Sequence, residues 1–337
     1  MFTPSVQAPS AVVMVRPHRF HPNPQTAADN AFQARTAQHA PDETALRAYA
    51  EVTAAAACLQ DAGVRVHLFE DTGERNTPDA VFPNNWFSTH PGGHVAIYPM
   101  YAENRRRERR SDVIEMLKAE YRVQDVIDYS GLEADGMFLE GTGAMVLDHL
   151  GRIAYTAQSN RADPVALERF CTHFNYEPMA FATADAQGHP CYHTNVMLCV
   201  GTAFALGGFH MITDPKRRSA VRERLLETGR EVIELSTWQI GEYAGNALEL
   251  TGTQGRVLAL SARAAASLTA EQRAAIERSA RLLPLSVPTI EQAGGSVRCM
   301  LAGVHLARRG APEPKIQAKM ASRALSASVN SYIFNSK

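Results

Sequence analysis

Residues 140–173 open with Glu140-Gly141-Thr142-Gly143 and run into the apolar stretch Ala144-Met145-Val146-Leu147-Asp148. A turn near Gly151 returns the chain as Arg152-Ile153-Ala154-Tyr155-Thr156, and Pro164–His173 follows with helical character. Two short strands joined so tightly pair antiparallel, because a parallel pair needs a crossover of about a dozen residues or more. The polar residue at the head of this unit recurs along the chain. Asn85, Glu140, His193, Asn246 and Cys299 stand at intervals of 55, 53, 53 and 53 residues, each where a turn-rich segment enters an apolar run.

The order strand, glycine turn, strand, helix, strand can be followed in the other units. Trp86–His90 turns at Pro91-Gly92-Gly93 into His94–Tyr98, with a charged helix at about Arg105–Lys118 and a strand at Val123–Asp128. Val196–Val200 turns at Gly201-Thr202 into Ala203–Leu206, then a helix at about Pro215–Glu227 and the strand Glu231–Leu235. Ala247–Thr251 and Arg256–Ser261, joined by Gly252–Gly255, lead to a helix at about Thr269–Leu282 and the strand Leu285–Thr289. Pro215 and Thr269 suit helix starts, by fixed φ and by side-chain capping. Gly63 and Gly229 suit left-handed stops.

The fifth unit has only its head, Cys299–Leu306, at the C-terminal end. Its partners lie at the other end of the chain: the strand Ala11–Arg16, a helix at about Asp42–Ala62 and the strand Val64–Glu70. A unit shared by both termini closes a ring without unpaired sheet edges. The expected fold is α/β, a five-fold ring of ββαβ repeats forming one domain over residues 11–307. A doubly wound protein with parallel sheets is disfavoured by the short glycine turns. Residues 308–337, rich in Ala, Ser and Lys, form a C-terminal extension whose order is left open.

Apolar residues make up 45% of the chain and charged residues 20%, as in an ordinary globular protein with a large core. A formal net charge of −1 argues against a nucleic-acid surface. The five cysteines, Cys58, Cys171, Cys191, Cys199 and Cys299, form no CxxC pair, so neither a zinc knuckle nor a dithiol redox motif is expected. Reduced thiols suit the cytosol. Met1–Ser10 lacks a charged and apolar leader, and no run approaches the roughly 18 apolar residues of a membrane helix. A cytoplasmic protein without metal, cofactor, nucleic-acid or membrane partner is the expectation.

Cys299 ends the glycine-rich approach Gly294-Gly295-Ser296-Val297-Arg298, where the backbone can come close to a ligand and Arg298 would favour a thiolate. Cys58, Cys171 and Cys199 fall in helices and a strand and read as buried structural thiols. His193 lies in Cys191-Tyr192-His193-Thr194-Asn195, and Glu140 between apolar residues and glycines, a dry setting expected to raise its pKa. Each alone is an ordinary structural residue. Together, at equivalent positions of a ring, Glu140, His193 and Cys299 converge on its axis as the set of a cysteine hydrolase.

These residues carry a resemblance to the amidinotransferase and arginine deiminase superfamily of guanidine-modifying enzymes, with the pentein fold, a five-bladed α/β propeller of pseudo-five-fold symmetry. Asn23-Pro24-Gln25-Thr26-Ala27, Phe82-Pro83-Asn84-Asn85-Trp86-Phe87 and Phe138–Gly143 most resemble the citrulline-utilisation hydrolase branch. The resemblance implies a covalent mechanism in which Cys299 attacks a guanidino or ureido carbon, His193 moves the proton and Glu140 holds His193. It places Asp79, Arg105 and Arg161 on the substrate, the arginines on its carboxylate. Arg105 also opens the run Arg105-Arg106-Arg107, which reads equally as a solvated helix face. Where arginine-using relatives place carboxylates, this chain has Asn85 and Asn195, which suit a neutral ureido group better than a cation. The family's Glu-Gly-Gly-Asp reads Glu140-Gly141-Thr142-Gly143-Ala144 here, so no aspartate is assigned there.

The reading implied is a hydrolase of the citrulline ureido group yielding ornithine, ammonia and carbon dioxide. An arginine deiminase or dimethylarginine hydrolase is the alternative, and a non-catalytic pentein binding protein the alternative of another class. A papain-like peptidase would need its Cys before its His. The partner expected is a small amino acid, with a homodimer left open, and Pro17–Phe32 is the candidate lid.

Overall fold

The computed structural model describes residues 6–34 and 39–310. Most of the extension, residues 311–337, therefore lies outside the described residues. Among the described residues fifteen strands sort into five three-stranded sheets, within a mixed α/β fold. In the first complete unit β3 (Phe87–His90) pairs antiparallel with β4 (His94–Ile97), and β4 pairs parallel with β5 (Asp125–Asp128). The pattern repeats in β6 (Met145–Asp148), β7 (Ile153–Ala157) and β8 (Glu177–Phe181). It repeats again in β9 (Leu198–Val200), β10 (Phe204–Gly207) and β11 (Glu231–Glu234). The fourth copy is β12 (Leu248–Gly252), β13 (Gly255–Ser261) and β14 (Arg281–Leu285).

The remaining sheet joins the two ends of the chain. The strand β1 (Ala11–Pro17) runs parallel to β2 (Arg65–Asp71) and antiparallel to β15 (Ala302–Gly303). Beyond β15, Arg308 bridges to Tyr121.

Local chemistry explains the crossover helices. The helix Pro164–Phe174 starts where Asp163 accepts from the Val165 and Ala166 amides, and it stops at Asn175 in a left-handed conformation. Its inward face carries Ala166, Leu167, Phe170 and Phe174 against Tyr98, Met145 and Leu147. Phe170 is fully buried, worth roughly 1.5–3 kcal/mol over an exposed ring. Helices begin at Pro215 and directly after Thr269, and Gly63 and Gly229 take φ of 82° and 80°. Thr269 caps Ala270–Glu277 in a box with Gln272. Thr269→Ala is expected to lower stability by about 1 kcal/mol with no change in activity, read by denaturant unfolding.

Three local readings need correction. The helix expected to reach Leu282 before a strand at Leu285–Thr289 ends at Glu277, and the strand is Arg281–Leu285. The single charged helix at 105–118 is two, Glu103–Arg106 and Ser111–Glu120. Arg105 turns inward to Glu108, and Arg109 turns to Glu133 and the Tyr98 carbonyl, which breaks the helix between them. Cys58 is exposed, not buried, because the helix Pro41–Asp61 packs through Ala48, Val52, Ala55 and Leu59 on the other face. Cys171 and Cys199 are buried as expected.

Candidate active site

The five recurring residues all stand a few residues ahead of a strand, in the entries to β3, β6, β9, β12 and β15. Asn85 ends a single helical turn before β3, and Glu140 directly precedes the turn Gly141–Ala144 before β6. His193 precedes the turn Thr194–Val196 before β9, Asn246 lies two residues before β12, and Cys299 sits in the turn Val297–Met300 before β15. Each chain entry thus aims its head residue toward the same interior point.

At that point Cys299 Sγ accepts hydrogen bonds from Asn195 Nδ2 at 3.2 Å and Asn246 Nδ2 at 3.3 Å. Asn246 also donates to the Asn195 carbonyl at 3.0 Å and accepts from the Arg298 amide at 3.0 Å. It is therefore a support of the thiol, a role the spacing alone left as backbone shaping. Asn195 Oδ1, fully buried, has no hydrogen-bond partner among the described residues.

His193 Nε2 lies 2.8 Å from Glu140 Oε2, with both side chains buried. The same carboxylate oxygen accepts from Arg161 Nη1 at 3.4 Å and Arg105 Nη1 at 3.5 Å, while Oε1 accepts from the Tyr101 amide at 3.0 Å. Burial pushes the Glu140 carboxyl up. The charges of Arg161 and Arg105 and the bond to His193 outweigh burial and hold it well below the ordinary carboxylate range. The expectation of a raised pKa, drawn from its apolar sequence neighbours, is thus overturned. Burial pulls His193 down to about 4, against the raising influence of Glu140 and with that of the two arginines. The imidazole is neutral at pH 7 and able to accept a proton.

The two arginines are anchored rather than solvated. Arg105 makes a bidentate pair with Glu108 at 2.9 and 3.0 Å and lies 3.7 Å from Asp79. Arg161 makes a bidentate pair with Asp29 at 3.0 and 2.5 Å and lies over the Tyr192 ring at 4.9 Å. Three of the five N–H donors of each guanidinium are used, leaving two on each. Asp79 accepts from Asn23 at 2.8 Å through Oδ2, and its buried Oδ1 has no partner among the described residues.

One narrow cavity is lined by Asp79, Asn85, Arg105, Arg161, His193 and Cys299. All the residues singled out from the sequence thus meet there, save Glu140 behind His193 and Asn195 behind Cys299. The candidate lid covers it: Thr26 and Asn30 line the cavity, Asn30 donates to the Ala293 carbonyl at 3.2 Å, and Asp29 holds Arg161. Asp29 and Glu108 escaped sequence reasoning. Glu108 had a signal, three residues from Arg105 on one helical turn; Asp29, 132 positions from Arg161, had none.

Gly143 explains the glycine in this loop. A Cβ there would lie 2.2 Å from Asn85 Nδ2 and 2.8 Å from His193 Nδ1. Gly143→Ala is expected to displace both groups and lower kcat/KM by about 10²-fold, on the scale of a 1 Å misplacement. Steady-state kinetics beside an unfolding curve separates this from simple loss of fold.

The chain belongs to the N,N dimethylarginine dimethylhydrolase family (eukaryotic), whose model matches residues 16–306, within the pentein amidinotransferase-type superfamily. No curated protein matched. Among solved structures, the N-terminal domain of ArgZ is similar. It is an arginine dihydrolase from the ornithine-ammonia cycle in cyanobacteria, solved with substrate. Identity is 14% and the TM-score 0.65, over 87% of this chain and 98% of that one. AgrE with L-arginine is 14% identical with a TM-score of 0.66, over 95% of this chain and 46% of that one. A DDAH from Pseudomonas aeruginosa complexed with citrulline is 13% identical with a TM-score of 0.57, over 89% and 99%. At these identities the likeness concerns the fold.

Proposed function

We propose that the protein is a cysteine-dependent hydrolase of C–N bonds in the guanidino or ureido group of a free amino acid, with citrulline as the favoured substrate. The five sheets would form the pentein ring, closed by the sheet that joins the termini; contacts of β6 with β9, β9 with β12, and β15 with β3 support this. The carrying observation is the Cys299 thiol held by two amides in the cavity that also presents the His193–Glu140 pair.

In this reading Cys299 Sγ attacks the central carbon while its proton passes to neutral His193. The imidazolium, stabilised by Glu140, returns that proton to the leaving nitrogen as the C–N bond breaks. Water, deprotonated by His193, then attacks the thiocarbamoyl carbon. The C–S bond breaks, the thiolate takes the proton back from His193, and the carbamate released loses carbon dioxide. The spare N–H donors of Arg105 and Arg161 suit an α-carboxylate, and Asp79 Oδ1 suits an α-ammonium. Asn85, in the cavity where a carboxylate would neutralise a guanidinium, offers a ureido group both donor and acceptor, while Asn195 acts through the Cys299 thiol it holds. The arginine-type alternative draws its support from Asp79, an unpaired carboxylate oxygen in the same cavity.

Turnover of citrulline, arginine, dimethylarginine and agmatine, followed through ornithine and citrulline, tests this directly. Absence of ornithine from citrulline, with arginine or a methylated arginine consumed, would sink the ureido assignment. Absence of turnover in all four, with amino-acid binding retained, would favour a binding protein. Asn85→Asp is expected to shift the ratio of kcat/KM toward arginine by about tenfold or more, since a carboxylate then faces the cation.

A further inference from the structure

A second cavity lies behind Cys299 and shares no lining residue with the first. Its free volume is about 30 Å³, room for about two waters or one monatomic anion at roughly 10–15 Å³ per water. Its walls carry Arg298, His149, His305, Gln7, Thr89 and Cys199.

Arg298 is the unusual member. Its guanidinium donates to the Leu301 carbonyl at 3.2 Å, and the groups acting on its charge are the Cys299 and Cys199 thiols. Among the described residues no carboxylate forms an ion pair with it, whereas the buried Arg105, Arg161 and Arg230 all have one. A guanidinium does not shed its proton, so a partly buried one without counter-charge is unfavourable. His149 and His305 stack at 3.8 Å between ring centroids; the Val6 backbone hydrogen-bonds the His305 ring, while its Nδ1 has no hydrogen-bond partner among the described residues. His149 Nδ1 can accept from the Tyr176 hydroxyl at 2.9 Å, which leaves its N–H on Nε2, so this pair can supply a donor beside Arg298. Gln7 spends both amide hydrogens on the Leu147 and Val200 carbonyls and closes one wall.

We propose that this cavity binds a small monovalent anion, of the size and charge of a halide, held by Arg298 with the His149–His305 pair. The site is independent of the substrate assignment, because none of its lining residues faces the reacting cavity. An anion there balances the Arg298 charge one residue from Cys299.

Crystals soaked in sodium bromide, measured at the bromine absorption edge, are expected to show an anomalous peak within hydrogen-bond distance of the Arg298 guanidinium. In solution the thermal midpoint of the wild-type protein is expected to rise saturably, by about 2 °C, in sodium chloride relative to sodium gluconate at equal ionic strength. Arg298→Gln is expected to lose that difference, while Arg298→Lys keeps part of it. Equal midpoints in the two salts, or no bromide at Arg298, overturn the site. Bromide seen only at crystal concentrations, without saturable chloride dependence, is an adventitious ion only and overturns it too. Should the glutamine variant not fold, the two wild-type readouts decide.

Discussion

Cys299→Ala is expected to lower turnover by about 10⁴-fold or more, the scale of losing a nucleophile that works as a unit with its base. The alanine also leaves the Asn195 and Asn246 amides without their shared acceptor. Buried donors left unpaired cost about 1–3 kcal/mol each, so this variant should also unfold at lower denaturant. Cys299→Ser provides a control, since a hydroxyl oxygen can accept from both amides. The serine variant should be equally inactive yet close to wild type in stability. Mass spectrometry of acid-quenched wild-type enzyme should show a covalent adduct that neither variant forms. Substantial turnover by either variant would remove Cys299 from the chemistry.

Glu140→Gln is expected to reduce both activity and stability. Its carboxylate is the common acceptor of Arg105, Arg161, His193 and the Tyr101 amide, with no exposure to solvent. Removing one member of a buried charge network costs about 3–5 kcal/mol, because the partners remain buried with less compensation. The loss of the group that stabilises imidazolium should slow the reaction by about 10²–10⁴-fold.

The pH dependence carries the same logic with a definite sign. His193 is held down to about 4 in the folded protein, against about 6.5 when unfolded. Between these values the unfolded chain binds a proton that the native protein does not, so this group makes stability rise with pH from about 4 to 6.5. Glu140, depressed when folded, contributes stability that is present above its unfolded pKa and lost as pH falls through its folded one. The acid limb of kcat/KM should accordingly sit nearer 4 than 6.5 in the wild-type enzyme. In Glu140→Gln it should move lower still, because Glu140 is the main influence raising His193. A wild-type limb near 6.5 would contradict a neutral, buried His193.

What could be read along the chain was whatever repeats locally. The interval of about 53 residues marks the turn before the first strand of each sheet, and strand alternation, glycine turns and caps such as Thr269 depend on near neighbours. These yielded the unit, its five occurrences and the fifth unit's division between the termini. They also yielded Glu140, His193 and Cys299, because equivalent positions of a repeat face a common point. Charges on Glu140 were not legible in this way. Its sequence neighbours are apolar, while Arg105 and Arg161 arrive from 35 and 21 residues away and reverse the direction of its pKa.

The same distinction separates Asn246 from its first reading, since its bonds to the Cys299 thiol and the Arg298 amide exist only once the fourth and fifth units meet. Asp29 on Arg161 and the inward turn of Arg105 to Glu108 are further cases. Backbone conformation responds to adjacent residues, so spacing could determine the architecture of the units. Protonation and hydrogen-bond partnership respond to whatever lies within a few ångströms, and only the tertiary structure decides which distant side chains those are.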